Sequence, residues 1–173
     1  MLVVTKFMLL LIEDFLHSLA STGWFQFFNY FMQDALFIPL VAVLALLAIV
    51  LLKDKGAKAT VVVSLILVSI LVTILKQIYA DPRPCDGLLD CEAGYGFPSG
   101  HSSLAFTLAF ATFGTKYFYA FTAFAVLVAL SRVASGVHSF PQVVAGMVLG
   151  FLVSTSVSRG LLVGVEMVKK WKK

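Results

Sequence analysis

Charged residues are scarce in this chain, at 13% of 173 positions, and they fall in a few clusters. A soluble domain spreads charge over its surface and is nearer half apolar. Here 60% of residues are hydrophobic and the mean hydropathy is +0.98, so the excess must face something other than a protein core. Lipid is the medium that fits. Cysteine and histidine are also few, two and three residues. The two thiols lack nearby histidines and are too few to hold a metal. Low-complexity tracts and internal repeats are missing. No cleavable signal peptide is expected, because Met1 to Ile12 runs into Glu13 and Asp14 instead of a small-residue cleavage site. The net charge of +4 does not indicate a nucleic-acid partner, since most basic residues lie at the ends of apolar runs.

Five apolar runs can cross a bilayer as helices, roughly Asp34–Leu52, Ala59–Tyr79, Ser99–Thr115, Tyr117–Val133 and Val143–Val165. A crossing of ~30 Å takes about 20 residues, so the third and fourth are short. None alternates as a barrel strand does, and lipid tolerates little else besides helices. The expected fold is an all-α integral membrane bundle with about five transmembrane helices. Residues 1–33 are expected to form interfacial amphipathic helices, over Phe7–Leu16 and the aromatic-rich Trp24–Met32. A tilted first span there would make the count six. One domain, 1–173, accommodates both parts, with 34–173 as the bundle.

Lys53, Lys55 and Lys58 join the first two spans, Lys116 joins the third and fourth, and Lys169–Lys173 form the tail. Alternation puts all three groups on one side, which the positive-inside rule makes cytoplasmic. Segments Ala80–Pro98 and Ala134–Gln142 then face outward, the first carrying Asp81, Asp86, Asp90 and Glu92. Cys85 and Cys91 also lie in that outer loop, where the pair can close a disulfide or remain as two thiols. Gly146-x3-Gly150 and Gly160-x3-Gly164 suit close helix packing, inside the bundle rather than between copies.

Four basic residues lie away from the cytoplasmic ends of apolar runs, and three of them, all but Lys6, flank the outer loops. Lys76 ends the second span, Arg83 follows it, and Arg132 ends the fourth. A cation at the membrane edge is costly without a partner. Too few carboxylates are placed to neutralise three, so a bound anion is implied, and phosphate suits the Arg fork and the Lys point charge. Pro98-Ser99-Gly100-His101 precedes the third span. Ser99 is a good N-cap, and Gly100 lets a ligand approach the free N–H groups of a helix start. His101 sits at that anion's edge, and His138 follows Ser131-Arg132 after the Gly136 turn. His17, far from both, is assigned a structural role.

Lys76-x6-Arg83-Pro84, Pro98-Ser99-Gly100-His101 and Ser131-Arg132-x5-His138 resemble, in order and spacing, the three signature motifs of the type 2 phosphatidic-acid phosphatase superfamily. The resemblance covers most of residues 58–158. It implies that Lys76, Arg83 and Arg132, with Ser99 and the Gly100 amide, bind phosphate oxygens. His138 would attack phosphorus to form a phosphohistidine, and His101 would protonate the leaving oxygen. No cofactor and no metal are implied, because fixed cations take the place of magnesium. The implied partners are the bilayer and a phosphorylated lipid. The compact chain resembles small bacterial members, which include lipid A 1-phosphatases, undecaprenyl diphosphate phosphatases and phosphatidylglycerophosphate phosphatases. The first two substrates are favoured, at the periplasmic face of a bacterial inner membrane.

One position departs from the family pattern. An aspartate is expected four residues after the nucleophilic histidine, and here that residue is Gln142. Its carbonyl can still accept the ring N–H, but it brings no charge. In the serine-protease triad the corresponding Asp-to-Asn change costs about 10⁴ in turnover. Gln142→Asp is therefore expected to quicken turnover. Two other readings follow: a phosphotransferase that passes phosphate between lipids, and an impaired lipid-binding relative.

Overall fold

The computed structural model describes residues 34–87, 91 and 93–171, with isolated positions between 11 and 30. Among the described residues there are five helices longer than a turn and no strands. They are α1 Asp34–Leu51, α2 Lys55–Tyr79, α3 Gly100–Ala111, α4 Phe118–Ala134 and α5 Phe140–Trp171. The interfacial helices expected over residues 1–33 lie mostly outside the described residues, as does His17.

Boundaries follow capping chemistry. Asp54 accepts the Ala57 N–H and so starts α2 at Lys55, ahead of the expected Ala59. Lys55 and Lys58 thus belong to the first turn of α2 rather than to a loop. At its other end, Ala80 adopts the left-handed conformation (φ 44°) and still donates to the Lys76 carbonyl, which turns the chain back over the bundle. Ser99 caps α3 as its sequence suggests, accepting the Ser102 N–H.

α3 is the central element and touches each of the other four helices. It runs for 12 residues, about 18 Å. This corrects the expected Ser99–Thr115 span: the helix ends at Ala111, and turns fill residues 112–117. Beyond its end lies a cavity of about 540 Å³, lined in part by Lys55, Ala111, Phe113 and Ser158. α5 approaches α3 closely because two glycines carry no side chain. A Cβ on Gly146 would lie 2.7 Å from the Ser99 carbonyl, and one on Gly150 2.8 Å from the Thr107 amide. Ser154 then donates to the Thr107 carbonyl across the same seam, at 2.9 Å. Gly160 and Gly164 meet nothing within 4 Å, so only the first of the two glycine pairs packs within the bundle.

Among the described residues two helices are long and apolar enough to cross a membrane, α2 and the Phe140–Gly164 part of α5. α1 and α4 include shorter apolar runs. Ile66, Ile70, Ile74 and Ile78 recur every fourth residue along α2 and are 48–68% exposed. Water would penalise such a continuous apolar face, and lipid would not. The chain is a helical membrane protein.

Candidate active site

The C-terminal ends of α2 and α4 and the N-terminal ends of α3 and α5 converge beneath the loop that joins α2 to α3. Cys85 and Cys91 are joined by a disulfide in that loop, with Cα atoms 5.5 Å apart. The loop turns its carbonyls towards the cations. Lys76 Nζ donates to the Tyr95 carbonyl at 2.7 Å, and Arg83 Nε to the Gly94 carbonyl at 3.1 Å. The backbone of the loop thereby helps to hold both side chains in place.

His138 lies in the short connection between α4 and α5 and is 2% exposed. Its backbone N–H donates to the Arg132 carbonyl at 3.1 Å, which ties the turn to the end of α4. Nε2 of the ring is 3.3 Å from Arg83 Nη1, and Nδ1 is 3.1 Å from Gln142 Oε1. Arginine has only donors, and an amide oxygen only accepts. The consistent tautomer carries its proton on Nδ1, given to Gln142, and leaves the Nε2 lone pair facing Arg83. Burial first, and the Arg83 charge second, push the His138 pKa from 6.5 down to about 3. Lys76 and Arg132 act in the same direction, against the bond to Gln142. The ring is neutral at pH 7, as a nucleophile must be.

Ser99 and Gly100 set the other wall. The Ser99 N–H donates to the Gln142 carbonyl at 3.0 Å, so the start of α3 is fastened to the start of α5. His101 follows on the first turn of α3, buried, with its ring centroid 4.1 Å from that of Phe37 on α1. The geometry thus groups Arg83, His138 and Gln142 in direct contact, with Lys76 and Arg132 near enough to act on the ring. His101, Ser99 and Gly100 lie on the α3 turn beside them. No group of three or more metal-ligating side chains occurs among the described residues.

Two contributors were not singled out from the sequence. Asp81 accepts from Gln142 Nε2 at 2.7 Å, and Gly96 leaves the room that the Gln142 amide occupies. Four acidic residues in one loop gave no reason to prefer Asp81. Its proximity to Pro82-Arg83-Pro84 was the only available signal.

The PAP2 superfamily matches residues 57–162, which contain every residue of this site. No curated protein matches the chain. Among solved structures, LpxE of Aquifex aeolicus is 24% identical, with a TM-score of 0.65 over 88% of this chain and 93% of that one. The first transmembrane PAP2-type phosphatidylglycerolphosphate phosphatase from Bacillus subtilis is 22% identical, with a TM-score of 0.64 over 89% and 84%.

Proposed function

The chain belongs to the PAP2 superfamily and is a phosphatase, and from that premise we propose a metal-independent lipid phosphatase that works through a phosphohistidine. The observation that carries this reading is the orientation of His138, with its Nε2 lone pair towards Arg83 and its Nδ1 proton held by Gln142.

In this mechanism, Lys76, Arg83, Arg132 and the amides at the start of α3 surround the phosphate oxygens. Anion binding offsets the cations that depress the His138 pKa, so the ring tolerates the positive charge it gains. Nε2 forms a bond to phosphorus as the bond to the lipid oxygen breaks, and His101 gives that oxygen a proton. Water then attacks phosphorus, His101 takes its proton, and the P–N bond breaks to free phosphate and restore neutral His138.

The substrate favoured by chain size and motif style is lipid A 1-phosphate or undecaprenyl diphosphate. The fold shared with LpxE and with the phosphatidylglycerolphosphate phosphatase is compatible with either, and adds the latter's lipid to the panel to be tested. All five helices are taken to pass through the bilayer, with α3 crossing inside a sheath made by the others. Lys53, Lys55 and Lys58 at one end mark the cytoplasmic side of a bacterial inner membrane, so the site opens to the periplasm.

Phosphate release from those three lipids in detergent, with and without EDTA, tests the proposal. Release is expected to be unchanged by chelator and reduced at least about 1,000-fold in His138→Ala. Loss of activity in EDTA would overturn the metal-free mechanism.

A further inference from the structure

The side-chain amide of Gln142 has two donor and two acceptor positions, and all four are engaged. Oε1 accepts the Ser139 N–H at 3.1 Å and faces His138 Nδ1 at 3.1 Å. Nε2 donates to Asp81 Oδ2 at 2.7 Å and to the Pro82 carbonyl at 3.1 Å. Only one orientation of the amide satisfies this surround. Reversed, its oxygen would face two acceptors and its NH2 group a backbone donor.

Both neighbours of this amide are held in place. The Asp81 carbonyl accepts the Gly96 N–H at 2.7 Å, which joins the two ends of the outer loop. A Cβ on Gly96 would fall on the Gln142 amide group. Gln142 is therefore wedged between the Gly96 backbone and the Asp81 carboxylate, and is 4% exposed.

We propose that Asp81 is a positioning residue for this reaction, supplying through Gln142 the negative charge that steadies His138 when it becomes cationic. The inference rests on the function proposed above. When Nε2 bonds to phosphorus, the ring gains positive charge and keeps its Nδ1 proton. The carboxylate draws on the amide N–H, which polarises the amide and makes Oε1 a stronger acceptor for that proton. No proton moves to Asp81. The charge missing at position 142 is thus present on Asp81, the hydrogen-bond partner of Gln142.

This reverses the expectation for Gln142→Asp, which would set two carboxylates against each other. Gln142→Glu keeps the reach of the side chain but likewise replaces a donor with an acceptor facing Asp81. Combined with Asp81→Asn, the same change restores a donor–acceptor pair and puts the charge directly against His138.

Turnover in detergent micelles of whichever of the three panel lipids the parent hydrolyses fastest would be measured for the parent, Asp81→Asn, Gln142→Glu and the double variant, with thermal unfolding of each as a control. Asp81→Asn is expected to lower kcat about tenfold or more while KM stays within about twofold. Gln142→Glu should also be slower, and the double variant should return to within about threefold of the parent. Parent-like kcat in Asp81→Asn would overturn the proposal, as would a loss that the double variant fails to recover. The Nδ1 proton resonance of His138 reads the relay without turnover: it should move upfield in Asp81→Asn and return in the double variant. A parent that releases no phosphate yet shows this pattern would sink the reaction and leave the relay standing. An unmoved resonance would sink the relay.

Discussion

α2 and α3 are both apolar helices, yet they treat their surroundings in opposite ways. α2 turns Thr60 and Ser64 inward and leaves its isoleucines outside. α3 exposes almost nothing and buries His101, Ser102, Ser103 and Thr107 in the centre of the bundle. Outside this protein the cheap surface is hydrocarbon, and inside it the hydroxyls of Ser103 and Thr107 find carbonyl partners. Thr107 and Ser103 each donate to a carbonyl four residues back, and the Thr107 carbonyl receives Ser154 from α5. Apolar character alone therefore does not tell a lipid-facing helix from a central one. Length and small polar residues do.

That contrast can be broken most forcefully on the outer face of α2. Ile66→Arg is expected to cost about 3 kcal/mol in a bilayer, since a cation at mid-helix is poorly solvated there. Thermal unfolding in nanodiscs would measure it. A neutral result would mean that this face meets water or protein, and the contrast with α3 would fail.

The seam between α3 and α5 gives the next largest effect. Gly150→Ala places a methyl 2.8 Å from one backbone atom and 2.9 Å from another, and should destabilise by about 2 kcal/mol. Gly160→Ala, in open space, should change nothing beyond its helix propensity. Equal effects at the two positions would show that α3 is not gripped as described.

The smallest effect sharpens the comparison at the buried polar end. The folded-state pKa of His138 is lowered, so in acid the unfolded chain binds a proton that the folded chain refuses. Its contribution is constant above the unfolded pKa of 6.5 and declines as pH falls from there towards about 3. Between about pH 7.5 and 5.5 this amounts to roughly 1.4 kcal/mol. His138→Gln should remove that part of the acid sensitivity, measured as the difference in unfolding midpoint between the two pH values. Identical pH slopes would mean that the imidazole is not held neutral.

Much of the architecture was legible in the residues. The five apolar runs became five helices, because a period-independent apolar stretch in lipid has few alternatives to a helix. Ser99 became a cap because a short hydroxyl before a helix finds free N–H groups. The end of α3 was not legible, since the apolar run continues through Thr112 and Phe113 while the backbone turns there. The site shows the same division. Lys76, Arg83, Arg132, His101 and His138 could be picked out as cations and imidazoles set apart from the lysine clusters of an apolar chain. Asp81 could not, because acidic residues in an exposed loop are common and need no partner.

Composition and motif spacing on their own determined that this is a helical membrane chain, and singled out the cations and imidazoles that the fold gathers at one end of the bundle. Those properties depend on residue type and on separations along a helix, both written locally. Tertiary structure alone decided which carboxylate stands behind Gln142, because Asp81 is 61 residues away in sequence. It also decided that the Nε2 of His138 faces Arg83, since tautomer and ring orientation are set by partners that only folding brings together.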